Sequence, residues 1–170
     1  MGENMNISFE KMGNEHQKPV MEIFNYYITT STAAFPSSAL PEPFYKFLME
    51  KSEGYPSYIL KDDDTVIGFC QLGKYNGFPT FKSTVTITYF IAKDYTRKGL
   101  GSECLKKLEQ EAVEMGIKNI VAEVSSENEQ SIEFHKKHGF VVAGELKDIG
   151  EKFGRSFSVV YMQKRLEDIV

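Results

Sequence analysis

Between Asp94 and Gly116 the chain reads DYTRKGLGSECLKKLEQEAVEMG, and the residues there with the clearest chemistry are Arg97, Lys98, Gly99 and Gly101. A β-rich apolar run, Val85 to Ala92, ends just before them, and an amphipathic pattern starts just after. Strand, glycine turn and helix start, in that order, make a seat for an anion. The first turn of a helix holds N–H groups with no intrahelical partner, and the macrodipole adds partial positive charge there. Glycines let a ligand approach that backbone and the two cations add charge beside it, so a phosphate or pyrophosphate fits. Spacing alone leaves an ordinary turn open as well. A dinucleotide fingerprint needs a third glycine where Cys104 stands, and a Walker A loop needs Lys and Ser/Thr after the second glycine, where the chain has Ser102 and Glu103.

Other reactive residue types are sparse. Cys70 and Cys104 lie far apart in sequence with no Cys or His at metal-ligand spacing, and they read as reduced, buried thiols. Asp62 to Asp64 lack the ligand ladder of a calcium loop and read as a solvated turn, so no metal is expected. The net charge of −4 without a long basic run gives no reason to expect nucleic acid or an anionic membrane as partner. Neither Met1 to Met12 nor any later segment has the apolar length of a signal peptide or a membrane span. A cytoplasmic protein with a small-molecule partner is the expectation.

The elements that must position the glycine turn follow from hydrophobic period. Ile7 to Phe9 reads as a short strand, and a helix from Asn14 or Glu15 to about Thr29 buries Val20, Ile23, Phe24, Tyr27 and Ile28. A hydroxyl-rich stretch leads into a loop around Phe35, and a second helix, Pro43 to Lys51, turns Phe44, Phe47 and Leu48 inward. Ser57 to Leu60 and Val66 to Leu72 pair across the aspartate turn, and Lys74 to Thr80 is a loop before the long strand Ser83 to Ala92. The central helix buries Leu100, Cys104, Leu105, Leu108, Ala112 and Met115. Asn119 to Val124 is a buried strand, Asn128 to His138 a helix, and Phe140 to Leu146 and Phe157 to Gln163 are the last strands. Strands interleaved with helices predict an α/β or α+β fold with one mixed sheet, and no repeat or linker divides residues 1–170.

The run Thr96-Arg97-Lys98-Gly99-Leu100-Gly101 resembles motif A of the GNAT superfamily of acetyl-CoA-dependent N-acyltransferases, with Thr96 in place of the usual Gln or Arg. Asn128 through His135 to Gly139-Phe140 is similar to the family's segment in which an Asn ends the cofactor-side strand and a helix runs to a Gly-Phe pair. Phe24-Asn25-Tyr26-Tyr27-Ile28, Ser31-Thr32, Phe35 and Lys152-Phe153-Gly154-Arg155 resemble the phosphinothricin and methionine-sulfoximine acetyltransferase branch. The resemblance spans essentially the whole chain. It implies a mostly antiparallel sheet splayed at its central strands, near Tyr89 to Ala92 and Ile120 to Val124, with acetyl-CoA in the gap. Phe90, Ile91 and Ala92 would face the pantetheine arm, residues Thr96 to Ser102 the pyrophosphate, and Asn128 and Ser131 the pantetheine side. A homodimer is common in the branch and is expected here.

Acetyl transfer needs a neutral amine, a stabilised oxyanion and a proton for the departing thiolate. The position that carries the family's Tyr acid is His135, a residue type able to donate near neutral pH. The branch's Glu base corresponds to Thr86, whose hydroxyl cannot take up a proton as a carboxylate can. Water, Glu123, Tyr89 or an amine arriving neutral could stand in for it. The branch's Arg in the loop before the central strand is Phe78, which removes a partner for carboxylate or phosphinate. Phe35, Phe78 and Phe81 are the expected walls of the amine pocket. The resemblance thus implies an N-acetyltransferase for a small, amino-acid-like primary amine, with an acyl-CoA-binding module lacking transfer as the alternative.

Overall fold

The computed structural model describes residues 4–166; residues 1–3 and 167–170, the ends of the expected domain, lie outside the described residues. In chain order the elements are β1 (Ile7–Lys11), α1 (Gln17–Thr30), α2 (Tyr45–Lys51), β2 (Ser57–Asp62), β3 (Thr65–Lys74), β4 (Thr84–Ile91), α3 (Leu100–Glu114), β5 (Asn119–Ser125), α4 (Glu129–Lys137), β6 (Val141–Lys152) and β7 (Arg155–Arg165). The strands form one sheet in the order β1-β2-β3-β4-β5-β7-β6, antiparallel throughout except between β4 and β5. This is the mixed, mostly antiparallel α/β architecture expected from the sequence.

The one parallel pair is short. β4 and β5 meet only at Thr84 with Asn119, Val85 with Ile120 and Thr86 with Val121. Beyond that point β4 stays bonded to β3 as far as Ile91, and β5 to β7 as far as Ser125, so the sheet is split between them. On β5 the split starts later than expected, at Ala122, because Ile120 and Val121 still pair with β4.

Two cores fix the split's walls. On one face α3 buries Leu100, Cys104, Leu105, Leu108 and Ala112 against Val85, Ile120, Ala122 and Val124, with Ile87, Tyr89 and Ile91 packed beside them. Full burial of a leucine contributes about 1.5–3 kcal/mol, so that helix is held to both sides of the gap. On the other face α1 and α2 bury Val20, Ile23, Phe24, Ile28, Tyr45 and Leu48 against Ile59 and Phe69, with Phe90 alongside.

Three local expectations are corrected. Phe47, expected inward, is 56% exposed, and Tyr45 is buried instead. Pro41 and Pro43 start a 3-10 turn at Glu42–Phe44, which shifts the phase of α2 and lets the Tyr45 hydroxyl donate to the Gly13 carbonyl at 2.6 Å. Met115 is 46% exposed because α3 ends at Glu114. The strand expected to stop at Leu146 runs on to Lys152 as β6. It does so through an irregularity between Leu146 and Gly150, with Asp148 left-handed at φ 53°. Gly150 is required there: a Cβ would come within 2.4 Å of the Phe157 ring.

The β6–β7 hairpin reaches across to the loop after α1. The Lys152 ammonium donates to the carbonyls of Ser31 at 2.7 Å and Ala34 at 2.9 Å. The Arg155 guanidinium grips Glu127 through two bonds of 2.6 and 2.8 Å, and the Thr32 hydroxyl donates to the same carboxylate at 2.9 Å. Thr32 and Ser125 join their hydroxyls at 2.7 Å.

Candidate active site

The glycine turn is shaped by two left-handed residues, Arg97 at φ 61° and Gly99 at φ 81°. Gly99 is the N-cap of α3, and no side chain caps that helix, so its first-turn N–H groups point into the turn ready for an anion. Arg97 and Lys98 are exposed beside it, and Leu100 is buried beneath. Gly101 backs onto the Phe134 ring, where a Cβ would sit 3.5 Å away. The Thr96 hydroxyl donates to the Lys93 carbonyl at 2.9 Å, an interaction within the turn. The Ser102 hydroxyl donates to Nε2 of His138 at 2.9 Å, because Nδ1 of that ring donates to the Phe134 carbonyl at 2.7 Å. His138 therefore ties the end of α4 to the first turn of α3.

The β4 side of the split exposes alternate backbone groups. The Ala92 N–H donates to the Ile67 carbonyl at 2.7 Å, and antiparallel ladders alternate. The peptide groups of Phe90 and the N–H of Ala92 thus turn to β3, the Ala92 carbonyl accepts from the Tyr95 N–H at 2.9 Å, and the groups of Tyr89 and Ile91 turn to the gap. Of the three expected backbone partners, Ile91 is the one facing the gap, and its carbonyl accepts from the Tyr27 hydroxyl. Phe90 supplies its ring to a cluster with Phe24, Tyr27 and Phe69.

On the β5 side, the Asn128 side chain caps α4 by accepting from the Ser131 N–H at 3.2 Å. One turn on, His135 is buried. Its Nδ1 lies 2.7 Å from the Ser131 carbonyl, which can only accept, so Nδ1 carries the proton. The Ser131 hydroxyl is 3.2 Å from the same nitrogen. Nε2 then accepts from the Tyr89 hydroxyl at 2.5 Å, across the split from α4 to β4. Burial pulls the His135 pKa below 6.5, partly opposed by the Ser131 carbonyl, with His138 lowering it slightly further. Burial likewise drives the Tyr89 hydroxyl well above its ordinary value. The phenol proton thus points at Nε2, and the neutral imidazole keeps its own proton on the far side, at Nδ1.

The other face of β4 carries Thr86, whose hydroxyl lies 3.5 Å from the Gly73 carbonyl. The three expected pocket rings make separate contacts. Phe35 stacks on Phe157, Phe81 meets Tyr75 edge to face, and Phe78 is 71% exposed. Gln71 was not foreseen. It pairs with Thr88 in the ladder and is buried with both amide atoms unpartnered. An unmet buried amide costs about 1–3 kcal/mol. Its only signal in the sequence is a glutamine inside the apolar run FCQLG.

Elsewhere, Glu10, Glu15 and His16 bring ligand-type atoms within 4.8 Å of one another. Nδ1 of His16 accepts from the Gly13 N–H at 2.9 Å, so the ring proton is on Nε2, facing the carboxylates at 3.6 and 3.7 Å. A metal would need a lone pair at that atom, so the trio reads as a polar pairing.

A parted sheet that offers backbone to an extended ligand, beside a bare helix start for its phosphates, defines an acyl-CoA-type transferase. The chain belongs to the acetyltransferase (GNAT) family, which matches residues 20–140. As such it is an acetyl-CoA-dependent acyltransferase, with acetyl-CoA as co-substrate. It is 33% identical over 115 residues to the L-amino acid N-acyltransferase MnaT of Escherichia coli, covering 68% of this chain and 67% of that protein. It is 28% identical over 166 residues to an L-methionine sulfoximine/L-methionine sulfone acetyltransferase of Pseudomonas paraeruginosa, covering 96% of each. The structure of yncA from Salmonella typhimurium, solved with its cofactor acetyl-CoA, superposes with a TM-score of 0.86 at 26% identity over 94% of both chains. Among the described residues no helix is long and apolar enough to cross a membrane.

Proposed function

We propose that this protein is an N-acetyltransferase moving the acetyl group of acetyl-CoA to the primary amine of a small, amino-acid-like molecule, by direct attack in a ternary complex. The observation that carries this reading is the split beyond Thr86, which leaves the backbone of Ile91 turned to the gap beside the uncapped start of α3. The amides of residues 98–102 hold the pyrophosphate, with Arg97 and Lys98 adding charge and Thr96 at the rim. Ile91, flanked by Phe90 and Ala92, pairs with the pantetheine arm, and Asn128 and Ser131 lie on its other side.

His135 and Tyr89 act as a unit beside the departing sulfur: the phenol gives its one proton to the thiolate, Nε2 of His135, which carries none, holds the phenol in place, and water returns a proton to the phenolate. Thr86 orients the acceptor without taking its proton. Phe35, Phe78 and Phe81 are the outer walls, and the loop held by Lys152 keeps the acceptor site small. Relatives named for amino acids and their analogues support an acceptor of that class, and names for transfer disfavour binding alone. The same reading has residues 1–170 as one catalytic domain, in a reducing cytoplasm suited to the free thiols of Cys70 and Cys104.

Free-thiol release from acetyl-CoA is the test, against amino acids, sulfoximines, polyamines, aminoglycosides and short peptides, with acetyl-CoA binding followed by calorimetry. Release with a small amine and none with peptides is expected. His135→Phe should leave cofactor affinity within about twofold and slow release on the order of 100-fold. Binding without release for every amine would overturn the transfer reading.

A further inference from the structure

The face that presents Thr86 has no carboxylate on β4, but the register brings one to it from β5. Thr86 pairs with Val121. Side chains alternate along a strand, so Val121, Glu123 and Ser125 share the face opposite Ile120, Ala122 and Val124, which lie in the core beneath α3. Thr86 and Thr88 stand on that same face of β4, opposite Val85 and Ile87. Glu123 is therefore two residues, about 6.6 Å, beyond the partner of Thr86, just where the strands have parted. It is exposed between two buried neighbours. The opening is bounded by α1 and α2 over β3 and β4, and by Thr32 closed on Ser125.

The groups around Glu123 suit a cation. Tyr161 of β7 stands directly opposite it in the ladder. Burial first, then the neighbouring Glu123, then Tyr75 push the Tyr161 hydroxyl up from 10.0. Tyr161 is thus the titratable group set against the carboxylate, and Tyr75 acts on Tyr161 in turn. Two nearby cations are engaged elsewhere, Arg155 on Glu127 and Lys152 on the loop carbonyls. A carboxylate beside phenol rings favours an ammonium by charge and by ring quadrupole.

We propose that Glu123 is the catalytic residue that receives the acceptor's ammonium group and takes its proton, so that β5 supplies the base β4 lacks. This rests on the acetyl-transfer reading above. One N–H bond of the ammonium breaks, its proton goes to the Glu123 carboxylate, and the nitrogen lone pair is freed. That pair forms the C–N bond at the thioester carbonyl. The C–S bond then breaks with its electrons on sulfur, and the thiolate takes up a proton equivalent to the second one the nitrogen loses. Glu123, open to solvent, releases its proton to water. The sum is ammonium plus acetyl-CoA giving amide, free thiol and one proton.

The test is kcat/KM from pH 6 to 9.5 for wild type and Glu123→Gln, with acetyl-CoA affinity and melting temperature measured on the same samples. Glu123→Gln should lose on the order of 100-fold at pH 7. The deficit should shrink toward the pKa of a free alkylamine, about 10, as neutral amine becomes available from solution. Cofactor affinity and melting temperature should be unchanged. A variant that overlays wild type, or lies below it by the same factor at every pH, overturns the role of Glu123 alone. A wild type that binds acetyl-CoA and acetylates no amine overturns the transferase reading and this role with it.

Discussion

Burial keeps the imidazole of His135 neutral, and its hydrogen bonds decide which nitrogen holds the proton. That has a consequence for stability. The unfolded chain binds a proton at this residue near pH 6.5, while the folded chain binds it only at lower pH. Stability therefore rises with pH between the folded value and 6.5, is full above 6.5, and falls as pH drops through that window. Glu10 and Glu127, held below 4.5 by hydrogen bonds chiefly from Lys61 and Arg155, contribute losses only at lower pH still. Thermal melts from pH 5 to 8 should show wild type losing melting temperature below about 6.5 and His135→Gln losing less; equal slopes would show that the imidazole is not the titrating group. At this scale the glycine pair was legible because its spacing is local. Glu123 was legible only as one of several stand-ins for the base, and Gln71 was not legible, since one lies in an ordinary strand and the other in an apolar run.

The loop after α1 depends on one long hairpin. β6 was expected to end at Leu146, but the six further residues through Lys152 carry the ammonium that holds Ser31 and Ala34. Burial lowers the pKa of that lysine, and its two carbonyl partners account for its place inside the protein. Lys152→Met keeps the apolar stem and removes both bonds, at a cost of about 1–3 kcal/mol. It should raise the acceptor's KM several-fold while leaving acetyl-CoA affinity unchanged, as read by steady-state kinetics and calorimetry. The sequence hid this reach because Lys147, Asp148 and Gly150 look like a turn; Asp148 is left-handed, with its N–H donating to the Ser158 hydroxyl, and pairing with β7 resumes at Gly150. The phase of α2 was misjudged for a related reason, a 3-10 turn that moves Tyr45 into the place expected for Phe47.

For the whole molecule, β6 is the last strand of the sheet, and its exposed residues include Val141, Val142, Leu146 and Ile149. An edge strand that exposes these four apolar side chains among charged ones is a surface a partner can cover. It supports the expected homodimer, with the hairpin of each copy at or near the interface. Sedimentation should give twice the chain mass for wild type and a monomer for Val142→Lys combined with Ile149→Lys; a monomeric wild type at micromolar concentration would rule the dimer out.

The sequence by itself determined the order of strands and helices, the glycine turn before α3 and the family, because these rest on short-range periods and adjacent residues. It also placed His135 on the helix beside the split. Only the tertiary structure decided that the His135 imidazole meets the Tyr89 hydroxyl, that the split opens beyond Thr86, and that Glu123 shares a face with Thr86. Each of these depends on which residues of separate strands stand opposite one another. Register comes from the packing of two cores on a common sheet and is not written in any one segment.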